Sequence, residues 1–94
     1  MGRPAIPNMI AMVNFRSPVP VFRQIRDILA AEIESGELIE NEPIPSQAEL
    51  TERFKVARGT VAKAVRVMRD EGLVFIVTGR GAWVTPKSER PRRT

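Results

Sequence analysis

Apolar residues recur at helical spacing between residues 20 and 35, and this pattern predicts the first helix of the chain. At intervals of three or four positions, one apolar stripe is formed by Phe22, Ile25, Leu29 and Ile33. Ile28 widens this stripe. Pro20 suits the start of a helix, where its missing N–H has no intrahelical partner to lose. Gly36 suits the left-handed residue that commonly ends a helix.

Two shorter helices are predicted after the loop at 37–45, which holds two prolines around Ile44 and forms a short extended piece at best. Ser46 and Glu49 match a capping box, in which each side chain accepts a hydrogen bond from the other residue's backbone N–H. Leu50 and Phe54, four residues apart, give the second helix a buried face. After a turn at 55–57, the third helix is predicted over 58–71, before Gly72, with an inward stripe of Val61, Ala64, Val65 and Met68.

The remaining pattern predicts a β-hairpin and two unstructured ends. Residues 73–77 and 82–85 are rich in β-branched and aromatic side chains, and they flank the turn sequence Thr78-Gly79-Arg80-Gly81. We therefore predict a mainly α fold of three helices plus a small β-hairpin, with the domain at 19–85. The three prolines of residues 1–18 favour a flexible arm, and the prolines and basic residues of 86–94 favour a disordered basic tail.

Composition narrows the classes of function. A chain of 94 residues supplies one domain, and without Cys it has no disulfide or thiolate metal site. Without His it lacks the commonest general base and metal ligand, so we expect no enzyme activity, no metal and no cofactor. Five glutamates near the end of the first helix and its loop are expected to be solvated: Glu32, Glu34, Glu37, Glu40 and Glu42.

The same sequence argues against a membrane protein. No apolar stretch approaches the roughly 20 residues needed to cross a bilayer. Pro4 and Pro7 interrupt the N-terminus, where a signal peptide would have a continuous apolar core. We therefore expect a cytoplasmic location and no contact with membranes.

Charge directs attention to one helix face. With 15 basic and 11 acidic residues, the net charge of +4 fits a polyanionic partner, although many small domains are basic for other reasons. Opposite its apolar stripe, the third helix collects small and basic residues: Arg58, Gly59, Thr60, Lys63 and Arg66. A helix in the DNA major groove meets base edges mainly with its first turns, where bulky residues would hold it away.

The chemistry of this face suits double-stranded DNA. Gly59 permits close approach, and Arg58 can make the bidentate contact that guanine favours. Thr60 can bond a phosphate or a base, while Lys63 and Arg66 are better placed for phosphates. Each of these residues taken singly is also typical of a solvated helix face.

The hairpin tip is a second candidate contact. Gly79, Arg80 and Gly81 place one guanidinium on a backbone that can approach a groove closely. An Arg at such a tip suits the narrow minor groove or a flanking phosphate, although an ordinary turn with a solvated Arg has the same sequence. Ser46 and Gln47, at the start of the second helix, complete the predicted DNA-binding set.

These motifs together resemble the GntR family of bacterial regulators over about Pro20 to Val84. The resemblance runs through Val21-Phe22-Arg23-Gln24-Ile25, Ile44-Pro45-Ser46-Gln47-Ala48-Glu49-Leu50, Val56-Ala57-Arg58-Gly59-Thr60-Val61, Glu71-Gly72-Leu73-Val74 and Gly79-Arg80-Gly81. It implies a winged helix-turn-helix fold that binds an inverted-repeat operator as a dimer, usually as a repressor. By position, Arg58 and Thr60 match the start of the recognition helix, and Gly79 and Arg80 match the wing tip.

The chain also departs from the family pattern. Phe22 stands where the family often has Tyr, and Ala48 and Ala62 stand where it often has Arg. Ala57 replaces the usual Ser or Thr cap, a change that typically costs about 1 kcal/mol of helix stability. We therefore expect an operator that differs from the family norm.

The resemblance also raises the question of a second domain. Family members generally continue into a C-terminal domain that binds an effector and holds the dimer together, whereas about ten residues follow the hairpin here. The chain is then either a stand-alone DNA-binding unit or the N-terminal piece of a longer regulator. We expect no small-molecule effector site in it, and a monomer or weak homodimer that pairs mainly on DNA. A non-specific architectural DNA binder and a winged helix used for protein association are the alternatives.

Overall fold

The computed structural model describes residues 12–91, and over that range the predicted fold class is confirmed. Three α-helices are followed by a two-stranded antiparallel hairpin and a short 3-10 turn. The elements are α1 (Val21–Ser35), α2 (Gln47–Phe54), α3 (Arg58–Asp70), β1 (Val74–Val77), β2 (Gly81–Val84) and the 3-10 turn (Lys87–Glu89). We call the hairpin of residues 74–84 the wing.

The core lies mainly between α1 and α3. The predicted stripe of α1 is buried at Ile25, Leu29 and Ile33, and half-buried Phe22 and Ile28 pack against its edges. From α3 the buried residues are Val61, Ala64 and Met68. Because each fully buried aliphatic side chain stabilises the fold by about 1.5–3 kcal/mol, this contact fixes α3 on α1. The opposite face of α3 is left to the solvent.

The helix ends follow from local chemistry. Gly36 has φ 87° and donates its N–H to Ile33 O, as predicted for a left-handed C-terminal cap. Lys55 ends α2 in the same left-handed conformation, with φ 56°, although it is not a glycine. This turn leaves only residues 55–57 between α2 and α3, which gives the compact helix-turn-helix arrangement.

The wing is anchored at its base. Val74 pairs with Val84 in the hairpin register, and both side chains are buried in the core. The predicted extended piece before α2 is also present, because Ile44 donates its N–H to Ala82 O (3.0 Å) and Asn41 donates to Val84 O (2.9 Å). The loop before α2 therefore fixes the wing beside the helices.

The prediction that Glu32 is solvated is wrong. Its side chain is only 6% exposed and forms an ion pair with Arg53 of α2, with Arg53 Nη1 at 3.2 Å from Glu32 Oε1. Arg53 also lies over the Phe54 ring, 4.7 Å from the ring centroid. The pair joins α1 to α2, a contact that spacing within α1 alone does not indicate. The other four glutamates of that group are exposed: Glu34, Glu37, Glu40 and Glu42.

At each end of the chain, part of the segment that was predicted to be flexible forms hydrogen bonds with the domain. At the N-terminal side, Gln24 of α1 binds the segment 14–19, accepting from Asn14 N–H (2.7 Å) and donating to Asn14 O and Val19 O. At the C-terminal side, Lys87 donates its N–H to Glu40 (3.1 Å), and Arg90 Nε donates to Thr85 O (2.8 Å). Residues 1–11 and 92–94 lie outside the described range.

Candidate nucleic-acid interface

The start of α2 is fixed by its capping box. Ser46 Oγ accepts a hydrogen bond from Glu49 N–H (3.0 Å), and Glu49 Oε1 accepts from Ser46 N–H (2.8 Å). The Ser46 side chain thereby accepts within the domain, while its hydroxyl hydrogen can still be donated outward. Both residues are exposed, so this end of α2 faces solvent.

Gln47 connects the start of α2 to the start of α3. Its Nε2 donates to the backbone carbonyl of Arg58 at 3.1 Å. This bond joins the first residue of α2 to the first residue of α3, so the two helix ends hold one position relative to each other. The sequence motif placed Gln47 near the interface, but it did not indicate this contact.

The first turn of α3 is open to an approaching surface. Arg58 and Gly59 are exposed, and Thr60 is half-buried. A Cβ added to Gly59 would meet nothing within 4 Å, so the packing of the protein itself does not require a glycine there. Ala57 precedes the helix without a side-chain cap, as its sequence predicts, and the first turn holds no acidic residue. This end of α3 is therefore small and positively charged, without a carboxylate to repel phosphate.

Lys63 and Arg66 continue this surface along α3. Both are exposed, on the side opposite buried Val61, Ala64 and Met68. The Lys63 ammonium lies 4.3 Å from the centroid of the Phe22 ring, so α1 contributes to the surface as well. The spacing of residues in the sequence does not predict this contact with α1.

The wing tip turns on two glycines with positive φ. Gly79 has φ 78° and Gly81 has φ 113°, and Arg80 between them donates its N–H to Val77 O (2.8 Å). The turn leaves all three residues exposed. The Arg80 guanidinium is 5.9 Å from the Trp83 ring centroid, a second cation–aromatic contact that the sequence analysis did not foresee.

A groove of about 510 Å³ separates α3 from the wing. Arg66 lines it from α3, and Arg80 lines it from the wing. The apolar side chains that line it are Val61 and Val65 of α3 and Ile76 and Ala82 of the wing. Ser46 and Gln47 line the same groove at the α2 end. The fold thus brings parts of the three predicted segments to one groove: Ser46 and Gln47, Arg66, and Arg80 with Gly81.

Ion pairing divides the basic residues into two groups. Of those between residues 12 and 91, four have a carboxylate partner: Arg26 with Asp27 and Glu71, Arg53 with Glu32, Lys55 with Glu52, and Arg69 with Asp70. Within residues 12–91, the four cations of the predicted DNA-binding set have none: Arg58, Lys63, Arg66 and Arg80. Arg16, Arg23, Lys87 and Arg90 also lack a carboxylate partner in this part of the chain.

The paired residues show the expected electrostatics. Burial acts to lower the pKa of Arg26, but its hydrogen bonds to Glu71 and Asp27 raise that pKa above the usual value. The hydrogen bond from Lys55 holds the pKa of Glu52 below its usual value. Arg26 and Lys55 are thus paired with carboxylates of the domain, unlike the four cations of the predicted DNA-binding set.

The described residues present neither a metal cluster nor a membrane helix. Between residues 12 and 91, no group of three His, Cys, Asp or Glu side chains is arranged to hold a metal ion. In the same range, no helix is long and apolar enough to cross a bilayer.

A family model and individual relatives of known name indicate the same protein family. The family described as bacterial regulatory proteins, gntR family, matches residues 22–84. The HTH-type transcriptional repressor NagR of Bacillus subtilis is 39% identical over 79 residues, which are 83% of this chain and 32% of that protein. The histidine utilization repressor of Klebsiella aerogenes is 33% identical over 82 residues, or 86% and 34% of the two chains. The chain spans about a third of the length of these curated relatives.

Solved structures agree in fold and in sequence. YtrA from Sulfolobus acidocaldarius, a GntR-family transcription factor, superposes with a TM-score of 0.75 at 32% identity, covering 83% of this chain and 82% of that one. AraR(DBD) in complex with operator ORX1 superposes with a TM-score of 0.72 at 29% identity, covering 78% and 94%. This chain is thus similar to a domain that has been seen on its operator.

Proposed function

The chain belongs to the GntR family of bacterial regulatory proteins, and from that premise we propose that it binds operator DNA sequence-specifically through residues 19–85. In this proposal α3 enters the major groove and the wing tip lies at the minor groove. One observation carries it: the four predicted contact cations lack a carboxylate partner within residues 12–91, and two of them, Arg66 and Arg80, line the groove between α3 and the wing. Unpaired positive charge collected on one surface favours a polyanion.

Sequence recognition is assigned to the first turn of α3. Arg58 is exposed at its first residue, where a guanidinium can donate two hydrogen bonds to guanine O6 and N7. The open space at Gly59 lets the groove floor approach the helix backbone. Thr60 follows with a short side chain that can donate to a base or a phosphate. Gln47, through its bond to the Arg58 carbonyl, holds the helix end that carries these contacts.

Backbone contacts are assigned to the flanking residues. Lys63 and Arg66 project from the exposed side of α3 toward phosphates, and Ser46 can donate its hydroxyl to a phosphate while its oxygen caps α2. Arg80, between Gly79 and Gly81, reaches the minor groove or its flanking phosphate from the wing tip. Phosphate contacts of this kind position the protein without reading the sequence.

The wider role is proposed from the relatives. NagR and the histidine utilization repressor are named repressors, so we propose repression of transcription, in the cytoplasm, without enzymatic activity. We further propose that two copies bind the halves of an inverted repeat as a weak homodimer that forms mainly on DNA. No effector site is assigned to this chain. Light scattering after size exclusion tests the assembly, because a tight dimer at micromolar concentration without DNA contradicts it.

The deciding experiment is selection of bound duplexes from a genomic library at about 150 mM salt, followed by sequencing. An enriched inverted repeat supports a specific regulator, and we expect a preference of roughly 10³-fold or more over unrelated DNA. Bound DNA without an enriched motif contradicts sequence-specific binding and favours an architectural protein. No retained DNA contradicts DNA binding by this chain alone, and favours either a role in protein association or a fragment that needs a dimerisation domain in order to bind.

Variants on α3 separate base recognition from phosphate binding. We expect Arg58→Ala to weaken operator binding by about 1–3 kcal/mol and to relax preference at one base pair. Arg66→Ala is expected to weaken all duplexes alike and to reduce the slope of log K against log salt by about 0.9. Arg69→Ala is the matched control, because Arg69 lies on the same helix but pairs with Asp70. Equal losses for Arg58→Ala and Arg69→Ala would show that α3 does not present the predicted face.

A further inference from the structure

The ring of Phe22 has two cations beside it, one from each of two helices. Phe22 and Arg23 lie in the first turn of α1, and Lys63 lies on α3. Lys63 Nζ is 4.3 Å from the ring centroid, and Arg23 Cζ is 5.8 Å from it. Both distances are within the range at which the electron-rich face of an aromatic ring attracts a cation.

Neither cation has an anionic partner in the structure. Among residues 12–91, no carboxylate lies within ion-pair distance of Arg23 or Lys63, and the first turn of α1 holds no acidic residue. Each of the two cations lies over the Phe22 ring, which attracts both. The site is therefore positively charged, exposed and without a carboxylate of its own.

The ring also limits the freedom of a flexible side chain. Lysine has four rotatable bonds, and fixing them at a binding partner costs conformational entropy. A side chain that is already held near its bound position loses less on association. An exposed cation–ring contact corresponds to about a two- to five-fold change in an equilibrium constant.

Resting on the proposed function, we propose that Phe22 is a positioning residue for DNA binding. Its ring holds the Lys63 ammonium beside the Arg23 guanidinium, so that the two cations together bind one segment of the DNA sugar–phosphate backbone. The backbone contact of α3 is thereby extended onto α1. Since phosphates are the same in every duplex, this site adds affinity without adding sequence preference.

Phe22 also packs against the core, so the test must separate the two roles. Phe22→Leu keeps an apolar side chain but removes the ring, Phe22→Tyr keeps the ring, and Lys63→Met removes the cation at similar length. Lys87→Met is the matched control for the loss of one charge, because Lys87 is exposed in the 3-10 turn. Thermal melting of each variant first establishes that it is folded at the temperature of the binding assay.

The measurement is a double-mutant cycle on two duplexes of equal length, the one enriched by selection and a shuffled version of it. We expect Phe22→Leu to weaken binding to both duplexes by about two- to five-fold, and to have a smaller effect in the Lys63→Met background, where only the longer Arg23 contact remains. Lys63→Met is expected to reduce the salt slope by about 0.9, whereas Phe22→Tyr and Lys87→Met leave the slope unchanged. In the free protein, the Lys63 side-chain NMR resonances should carry a ring-current shift that Phe22→Leu abolishes.

Additive losses in the cycle overturn the proposal, because they show that the ring acts on binding without Lys63. Equal or tighter binding by Phe22→Leu overturns it as well, since the ring would then hold Lys63 away from DNA. Failure of the wider proposal has a different signature. If selection enriches no motif, sequence-specific regulation fails, but coupling between Phe22 and Lys63 on a mixed-sequence duplex still supports the phosphate site.

Discussion

Replacing Arg53 by Met should destabilise the domain strongly without changing any residue of the proposed DNA-binding surface. Arg53 reaches from α2 to Glu32 on α1, whose side chain is 6% exposed, and it donates hydrogen bonds to both carboxylate oxygens. Arg53→Met leaves that buried carboxylate without the guanidinium. The negative charge of Glu32 then loses the hydrogen bonds from Arg53 in the interior of the domain, where water stabilises a charge poorly.

The magnitude follows from the burial of the two partners. Removing one member of a buried ion pair costs about 3–5 kcal/mol, and a hydrogen bond to a charged group contributes about 1.5–3 kcal/mol. The Arg53 side chain is 25% exposed, so water replaces part of its interaction and the lower end applies. We expect a loss of about 3 kcal/mol, which lowers Tm by roughly 12–24 °C in a domain of this size.

Urea denaturation followed by circular dichroism measures this loss directly. Arg69→Met is the control, because its pair with Asp70 is exposed and should contribute no more than about 1 kcal/mol. The double variant Glu32→Leu with Arg53→Met should come within about 1 kcal/mol of the original protein, because apolar replacement removes both charges together. A loss below about 1 kcal/mol for Arg53→Met would refute the reasoning that the buried carboxylate depends on this partner.

Three further predictions concern helix ends, and thermal melting checks each of them. Ala57→Ser should stabilise the domain by about 1 kcal/mol, because α3 begins without a side-chain cap; a Tm unchanged or lower would contradict this. Gly36→Ala should cost about 1–2 kcal/mol, the strain of a left-handed residue in open space. Gly72→Ala should lower the stability of the domain further, because the added Cβ would also lie 2.8 Å from Pro91 Cδ. Equal losses of stability for the two variants would show that Pro91 moves away without cost.

Much of the fold was predictable because its determinants are local. The spacing of Ile25, Leu29 and Ile33 places them on one helix face whatever they pack against, and the structure buries all three. The capping box of Ser46 and Glu49 and the left-handed Gly36 are likewise set within a few residues. For the same reason the candidate contacts on α3 could be chosen from the sequence, since one helix face carries them.

Contacts between elements could not be predicted in this way. Nothing in the spacing of α1 shows that Glu32 meets Arg53 on α2, and as a result this carboxylate was wrongly expected in solvent. The same holds for the Phe22 ring beside Lys63 and for Gln47 at the Arg58 carbonyl. Each partner lies on a different helix, so its position depends on how the helices pack.

The sequence by itself therefore determined where the three helices and two strands lie, to within about one residue at each end, and which helix faces are apolar. These properties depend on backbone geometry and on interactions that span only a few residues. Only the tertiary structure decided which cations between residues 12 and 91 have a carboxylate partner, and that Gln47, Arg66 and Arg80 line one groove. Ion pairs and shared surfaces depend on distances through space, and packing of the core fixes those distances.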